Sequence, residues 1–144
     1  MKNLATYIDH TLLKQDASAS AIVTLCEEAK THGFASVCIQ PHYVPLAAKE
    51  LEGSSVLVCT VIGFPLGQNT TEIKVQETTL AIAQGAQEID MVINLSWVKE
   101  RKDEALSQEI AAIKAACGSR ILKVILETSM LSPVDIVYAC KISQ

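Results

Sequence analysis

The chain has 144 residues, 49% of them hydrophobic and 19% charged, so there is enough apolar material for one sizeable core. Net charge is −4, and no basic block or basic stripe with interleaved aromatics occurs, which argues against nucleic acid as a partner. No apolar run approaches the roughly 20 residues that cross a bilayer, and the opening "MKNLATYIDH" lacks the apolar core of a signal peptide. No membrane partner is expected, and the cytoplasm is the expected compartment.

In chain order, the first candidate element is "YIDHTLLK", which places Asp9, His10 and Thr11 among apolar residues. The residues alone suggest that Asp9 or Thr11 caps a short helix. "DASASAIVTLCEEAKTHG" predicts a helix. Asp16 or Ser18 can cap it, Ile22, Leu25, Cys26 and Ala29 form its apolar stripe, and Gly33 fits its C-terminal stop. "FASVCIQP" predicts a short strand ended by Pro41, and "SVLVCTVIGFP" a second. The following "GFPLGQNT" reads as a tight loop at a strand C-terminus. "TTEIKVQETTLAIAQGA" predicts a helix with Ile73, Val75, Leu80 and Ala83 among its apolar positions. "QEIDMVIN" predicts a third strand, "WVKERKDEALSQEIAAIKAACG" one long helix that Trp97 opens by packing, and "ILKVILET" a fourth strand. Ser132 then caps a last helix with Pro133 at its first position, where a missing N–H costs nothing.

Strand and helix alternate at roughly thirty-residue spacing, and strongly apolar strands joined by helices imply a parallel sheet covered on both faces. An open doubly wound sheet and a (β/α)8 barrel compete. Neither G-x-G-x-x-G nor a P-loop is present, which weakens the nucleotide-binding open sheet. Successive strand residues face opposite sides. Ile89, Met91 and Ile93 share one face, and Glu88, Asp90, Val92 and Asn94 the other. Leu122, Val124 and Leu126 likewise oppose Lys123, Ile125 and Glu127, and Val37 and Ile39 oppose Ser36, Cys38 and Gln40. The second strand does not declare its parity. The apolar faces should meet helices and the mixed faces a barrel interior.

A lysine in an apolar strand is costly unless it is paired or neutral. Asp90 and Lys123 share the mixed face of consecutive strands. They read either as a buried structural ion pair or as a catalytic amine and proton-moving carboxylate. The five cysteines form no C-x-x-C pair and mostly lie in apolar stretches, so buried free thiols are expected and a metal site is not.

"YIDHTLLK", "ASVCIQP", "TVIGFPLG", "GAQEIDMVIN" and "LKVILET" together resemble bacterial deoxyribose-phosphate aldolase, in order and spacing, across nearly the whole chain. The resemblance implies a (β/α)8 TIM barrel and a class I aldolase. Such an enzyme joins acetaldehyde reversibly to glyceraldehyde 3-phosphate through a lysine Schiff base, without metal or other cofactor. It implies that Asp90 is the proton-relay aspartate and Lys123 a supporting active-site lysine. It implies that Asp9, Thr11 and Cys38 line the substrate pocket. The family's Schiff-base lysine lies in a later "KTSTG"-like strand, which this sequence does not contain.

The expectation is therefore a single domain over 1–144, about the first half of a barrel, with four parallel strands and their helices. On that reading the chain is truncated before the Schiff-base strand and is inactive alone. Its open edges would promote homo-oligomers, and its small-molecule partner would be a phosphorylated sugar. The alternative is a catalytically silent half-barrel that self-associates. A third reading makes Lys123 itself the nucleophile.

Overall fold

The computed structural model describes residues 4–144. Five parallel strands form one open sheet in the order β1 (Asp9–Leu12), β2 (Ser36–Ile39), β3 (Leu57–Ile62), β4 (Glu88–Val92) and β5 (Ile121–Ile125). Helices α1 (Ala19–His32), α2 (Val44–Glu50), α3 (Thr71–Ala83), α4 (Leu95–Lys99), α5 (Asp103–Cys117) and α6 (Pro133–Ile142) complete the unit. Strand order follows chain order with helical crossovers, which is the pattern of a (β/α) barrel segment.

The sheet has five strands and not four, because "DHTL" is the strand β1 and caps no helix. A four-residue segment with three polar-capable side chains carries no strand signal of its own. Pairing with β2, Asp9 opposite Ser36 and Thr11 opposite Cys38, supplies it. α2 was also illegible. Pro41 ends the strand before it as expected, and Pro45 sits in the first turn of the helix, where no N–H is required.

α1 forms as its pattern dictates. Ser18 caps it, Ile22, Leu25, Cys26 and Ala29 are all buried, and Gly33 ends it at φ 66°. α6 starts on the expected Ser132, which forms a reciprocal capping box with Asp135. The long helix foreseen over 97–118 is broken into α4 and α5. Arg101 takes φ 56° between them, its guanidinium reaches Asp135 at 2.5 Å, and it lies 4.1 Å over the Tyr138 ring. Asn94 caps α4, and Asp103 and Glu104 open α5 where the helix dipole favours negative charge. Trp97 packs against Ile93, Val98, Leu106 and Ala139, as expected.

α3 turns a different face inward. Ile73 and Leu80 are 47% and 58% exposed, and the buried positions are Lys74, Thr78 and Ala81. The helix stands on an ion pair. Lys74 Nζ donates to Glu109 Oε1 of α5 at 2.8 Å and to the Val92 carbonyl at 3.0 Å, and both side chains are fully buried. Thr71 Oγ1 donates to the other Glu109 oxygen at 3.2 Å. A hydrophobicity pattern cannot anticipate a charged residue at the centre of a buried face.

The main core fills the space between the convex side of the sheet and α1, α2, α3 and α5. It contains Val37, Ile39, Val58, Ile62, Ile89 and Met91. The apolar strand faces therefore meet helices, as side-chain alternation requires. β3 resolves its undeclared parity here, with Val58 and Ile62 outward and Cys59 and Val61 on the concave face. The loop after β3 is pressed onto the end of β4. Gly67 has φ 68°, and a Cβ there would meet the Ile93 carbonyl oxygen at 2.3 Å. Among the described residues, no helix is long and apolar enough to cross a membrane.

Candidate active site

The sheet curls until its two edge strands approach each other over the concave face. Lys123 Nζ of β5 donates to Asp9 Oδ2 of β1 at 2.6 Å, a contact spanning 114 residues of sequence. The same ammonium lies 3.0 Å from Glu88 Oε2 and 3.2 Å from Asp90 Oδ1, both on β4. One lysine thus faces three carboxylates. Asp9 is held from its other side by Ser36 Oγ, which donates to Oδ1 at 2.7 Å.

Register explains the convergence. Asp9 pairs with Ser36, Cys38 with Cys59, and Asp90 with Lys123, so alternate residues of successive strands enter one surface. The expected partnership of Asp90 with Lys123 is present, but the shortest contact of Lys123 is to Asp9. Cys38 joins through Cys59. The two sulfurs and a carboxylate oxygen of Asp90 all lie within 4.8 Å of one another. Thr11 is exposed, shares the face of Asp9 by alternation, and donates from Oγ1 to the Asp9 carbonyl at 2.8 Å. The fold therefore brings together Asp9, Asp90, Lys123 and Cys38, with Thr11 beside them.

Glu88, Ser36 and Cys59 belong to the cluster and were not singled out as site residues from the sequence. Alternation had already set Glu88 on the face of Asp90, and that signal could have found it. Cys59 needed the parity of β3, which only the structure supplies. Four of the five cysteines are buried, as expected, while Cys140 is exposed.

The electrostatics fix the charge of Lys123. Burial by itself would lower its pKa. The hydrogen bonds to Asp9 and Glu88 and the charge of Asp90 together outweigh that effect and raise it. Burial pushes the Asp9 carboxyl up, but the bonds from Lys123 and Ser36 hold it below the usual carboxylate range. At neutral pH the pair is an ammonium and a carboxylate. Such a lysine is a hydrogen-bond donor and an electrostatic anchor, and a poor nucleophile. Asp90 Oδ1 is hidden from solvent and receives no well-directed hydrogen bond.

The model of the DeoC/LacD aldolases matches residues 3–137. This chain belongs to the DeoC/LacD aldolase family. A Coccidioides immitis protein assigned as a deoxyribose-phosphate aldolase is 45% identical, with a TM-score of 0.95 over 98% of this chain and 56% of that one. The aldolase QR15 is 38% identical, with a TM-score of 0.92 over 99% of this chain and 63% of its own. A deoxyribose-phosphate aldolase of Aeropyrum pernix, described as a unique tetramer, is 32% identical, with a TM-score of 0.85 over 97% and 59%. This DeoC/LacD chain therefore spans 56% to 63% of the length of these relatives. Its five strands correspond to part of their fold.

Proposed function

We propose that this chain contributes one wall of a deoxyribose-phosphate aldolase active site, in the manner of a bacterial enzyme of that kind. The reaction is reversible cleavage of 2-deoxy-D-ribose 5-phosphate to glyceraldehyde 3-phosphate and acetaldehyde through a lysine Schiff base. The observation that carries this reading is the set of three carboxylates around Lys123 on the concave face.

In this reading Asp90 is the proton relay. Its Oδ1 lies inside against Lys123, and the carboxylate as a whole keeps 16% exposure, through which it can accept from a substrate hydroxyl or a water. Lys123 stays charged and orients the carboxylates around it. Asp9, Thr11 and Cys38 border the substrate. The Schiff-base lysine comes from a "KTSTG"-like strand outside these 144 residues. Residues 1–144 then form a single domain equivalent to the N-terminal part of the barrel, inactive until the remaining strands are supplied. The raised pKa of Lys123 weighs against the reading in which it is the nucleophile.

The test is to incubate the chain with acetaldehyde, reduce with borohydride and measure intact mass. No adduct is expected. An adduct that disappears in Lys123→Ala would overturn the supporting role of Lys123. Turnover of the phosphorylated sugar is expected only once a complementary barrel half carrying the "KTSTG"-like strand is added. If no turnover appears with that half bound, the aldolase reading fails.

A second reading, a catalytically silent half-barrel that self-associates, is favoured by apolar exposure near the β5 edge. Ile121 is 49% exposed, Met130 58%, Val134 71% and Val137 55%. Light scattering that shows a folded monomer at micromolar concentration excludes it.

A further inference from the structure

We propose that Cys38, Cys59 and Asp90 form a three-ligand site for a soft divalent cation, Zn2+ or Cd2+, on the concave face of the sheet. Cys38 and Cys59 are register partners on adjacent parallel strands, so both thiols project from one spot. Asp90 pairs with Val61, two residues beyond Cys59 on β3, and closes the third side. Cysteine spacing along the chain could not reveal this, because the ligands are brought together across strands.

The geometry suits such an ion. The three donor atoms lie within 4.8 Å of one another. Zinc–thiolate bonds of about 2.3 Å hold neighbouring ligand atoms roughly 3.8 Å apart in a tetrahedron, so small side-chain rotations bring these groups into range. Cys38 and Cys59 are 4% and 0% exposed, which excludes competing water from the sulfurs. Asp90 retains 16% side-chain exposure, and its Oδ1 is a hidden acceptor without a hydrogen bond. That oxygen has only the 3.2 Å ion pair with Lys123, so it keeps acceptor capacity beside the two thiols.

Charge also permits it. Two thiolates and one carboxylate carry three negative charges against two on the ion. Lys123 keeps Asp9 at 2.6 Å and Glu88 at 3.0 Å when Asp90 turns to the metal. Binding displaces both thiol protons to solvent. Two sulfur ligands select zinc or cadmium over magnesium or calcium. The ion takes no part in the proposed aldol chemistry, and the site does not depend on that reading. It occupies the face from which Asp90 would act.

The experiment is a Cd2+ titration of the chain under a thiol-free reductant, following cadmium–thiolate ultraviolet absorption. The band should saturate at a single ion per chain. It should vanish in Cys38→Ser and Cys59→Ser, persist in Cys140→Ser, and need at least about tenfold more Cd2+ in Asp90→Asn. Loss of the band in Cys140→Ser, or its full retention in Cys59→Ser, overturns the site. If Cys59→Ser fails to fold, alkylation of the unaltered chain decides. Zn2+ should slow modification of Cys38 and leave Cys140 unaffected, and equal rates with and without Zn2+ overturn the site.

Discussion

Lys74 and Lys123 approach the sheet from its opposite sides. Lys74 lies on the convex side between α3, α5 and β4, fully buried, and its ionic partner among the described residues is Glu109. Lys123 lies on the concave side, 36% exposed, among three carboxylates. The first arrangement is closed. Glu109 accepts from Lys74 and Thr71, and the ammonium also holds the Val92 carbonyl at the end of β4. The second is open, overfilled with acceptors and left with one poorly served oxygen on Asp90. A closed pair holds elements together, whereas an open one with surplus acceptors can move protons or take a ligand. Exposure and acceptor count separate the two roles where residue type does not.

The contrast can be broken experimentally. The largest expected effect is on the closed pair. Lys74→Met leaves Glu109 buried without a counter-charge and should cost about 3–5 kcal/mol in urea unfolding. Replacing Glu109 by Met as well should recover most of that loss, since an apolar pair of similar volume is tolerated there. Were Lys74→Met to unfold no more easily than the parent, the structural reading of this pair would be wrong.

Lys123→Met should behave in the opposite way. In the complemented enzyme it should lower turnover by about 10²–10⁴-fold, the usual worth of a positioned proton-handling group and its electrostatic support. Its stability cost should stay near 1 kcal/mol, because the pair is more than a third exposed and solvent screens it. Equal losses of stability in Lys74→Met and Lys123→Met would erase the distinction.

Acidity sharpens it further. Asp9 has a depressed folded pKa, so its stabilisation is complete above its unfolded value of roughly 3.9 and is lost as pH falls through the lower folded value. Lys123 has a raised folded pKa, so its contribution is complete below roughly 10.4 and is lost as pH rises through the higher folded value. The stability difference between the parent and Lys123→Met should therefore be flat between roughly pH 4 and 10 and shrink outside that window. Denaturant midpoints against pH measure it.

The smallest effect belongs to the outer face of α3. Leu80→Gln should change stability by less than about 0.5 kcal/mol in the same unfolding assay, because Leu80 points to solvent while Lys74 anchors the helix. A loss of several kcal/mol would mean that Leu80 is covered.

The alternation of apolar strands with capped helices determined the parallel (β/α) architecture, and strand parity alone put Asp90 and Lys123 on one face. Those signals are local. Hydrophobic period, a serine before a helix and a glycine after it act within a few residues. The rest was decided between distant segments. β1 exists because β2 offers a partner, and its Asp9 reaches Lys123 only because the sheet curls. The inward face of α3 was set by Glu109, which lies on another helix. Cys38 and Cys59 meet through register, which depends on hydrogen bonds between strands and leaves no trace in spacing. What depends on contacts across the sheet could be settled only by the sheet itself, since burial and pairing energies belong to the packed neighbours of a residue and not to the residue alone.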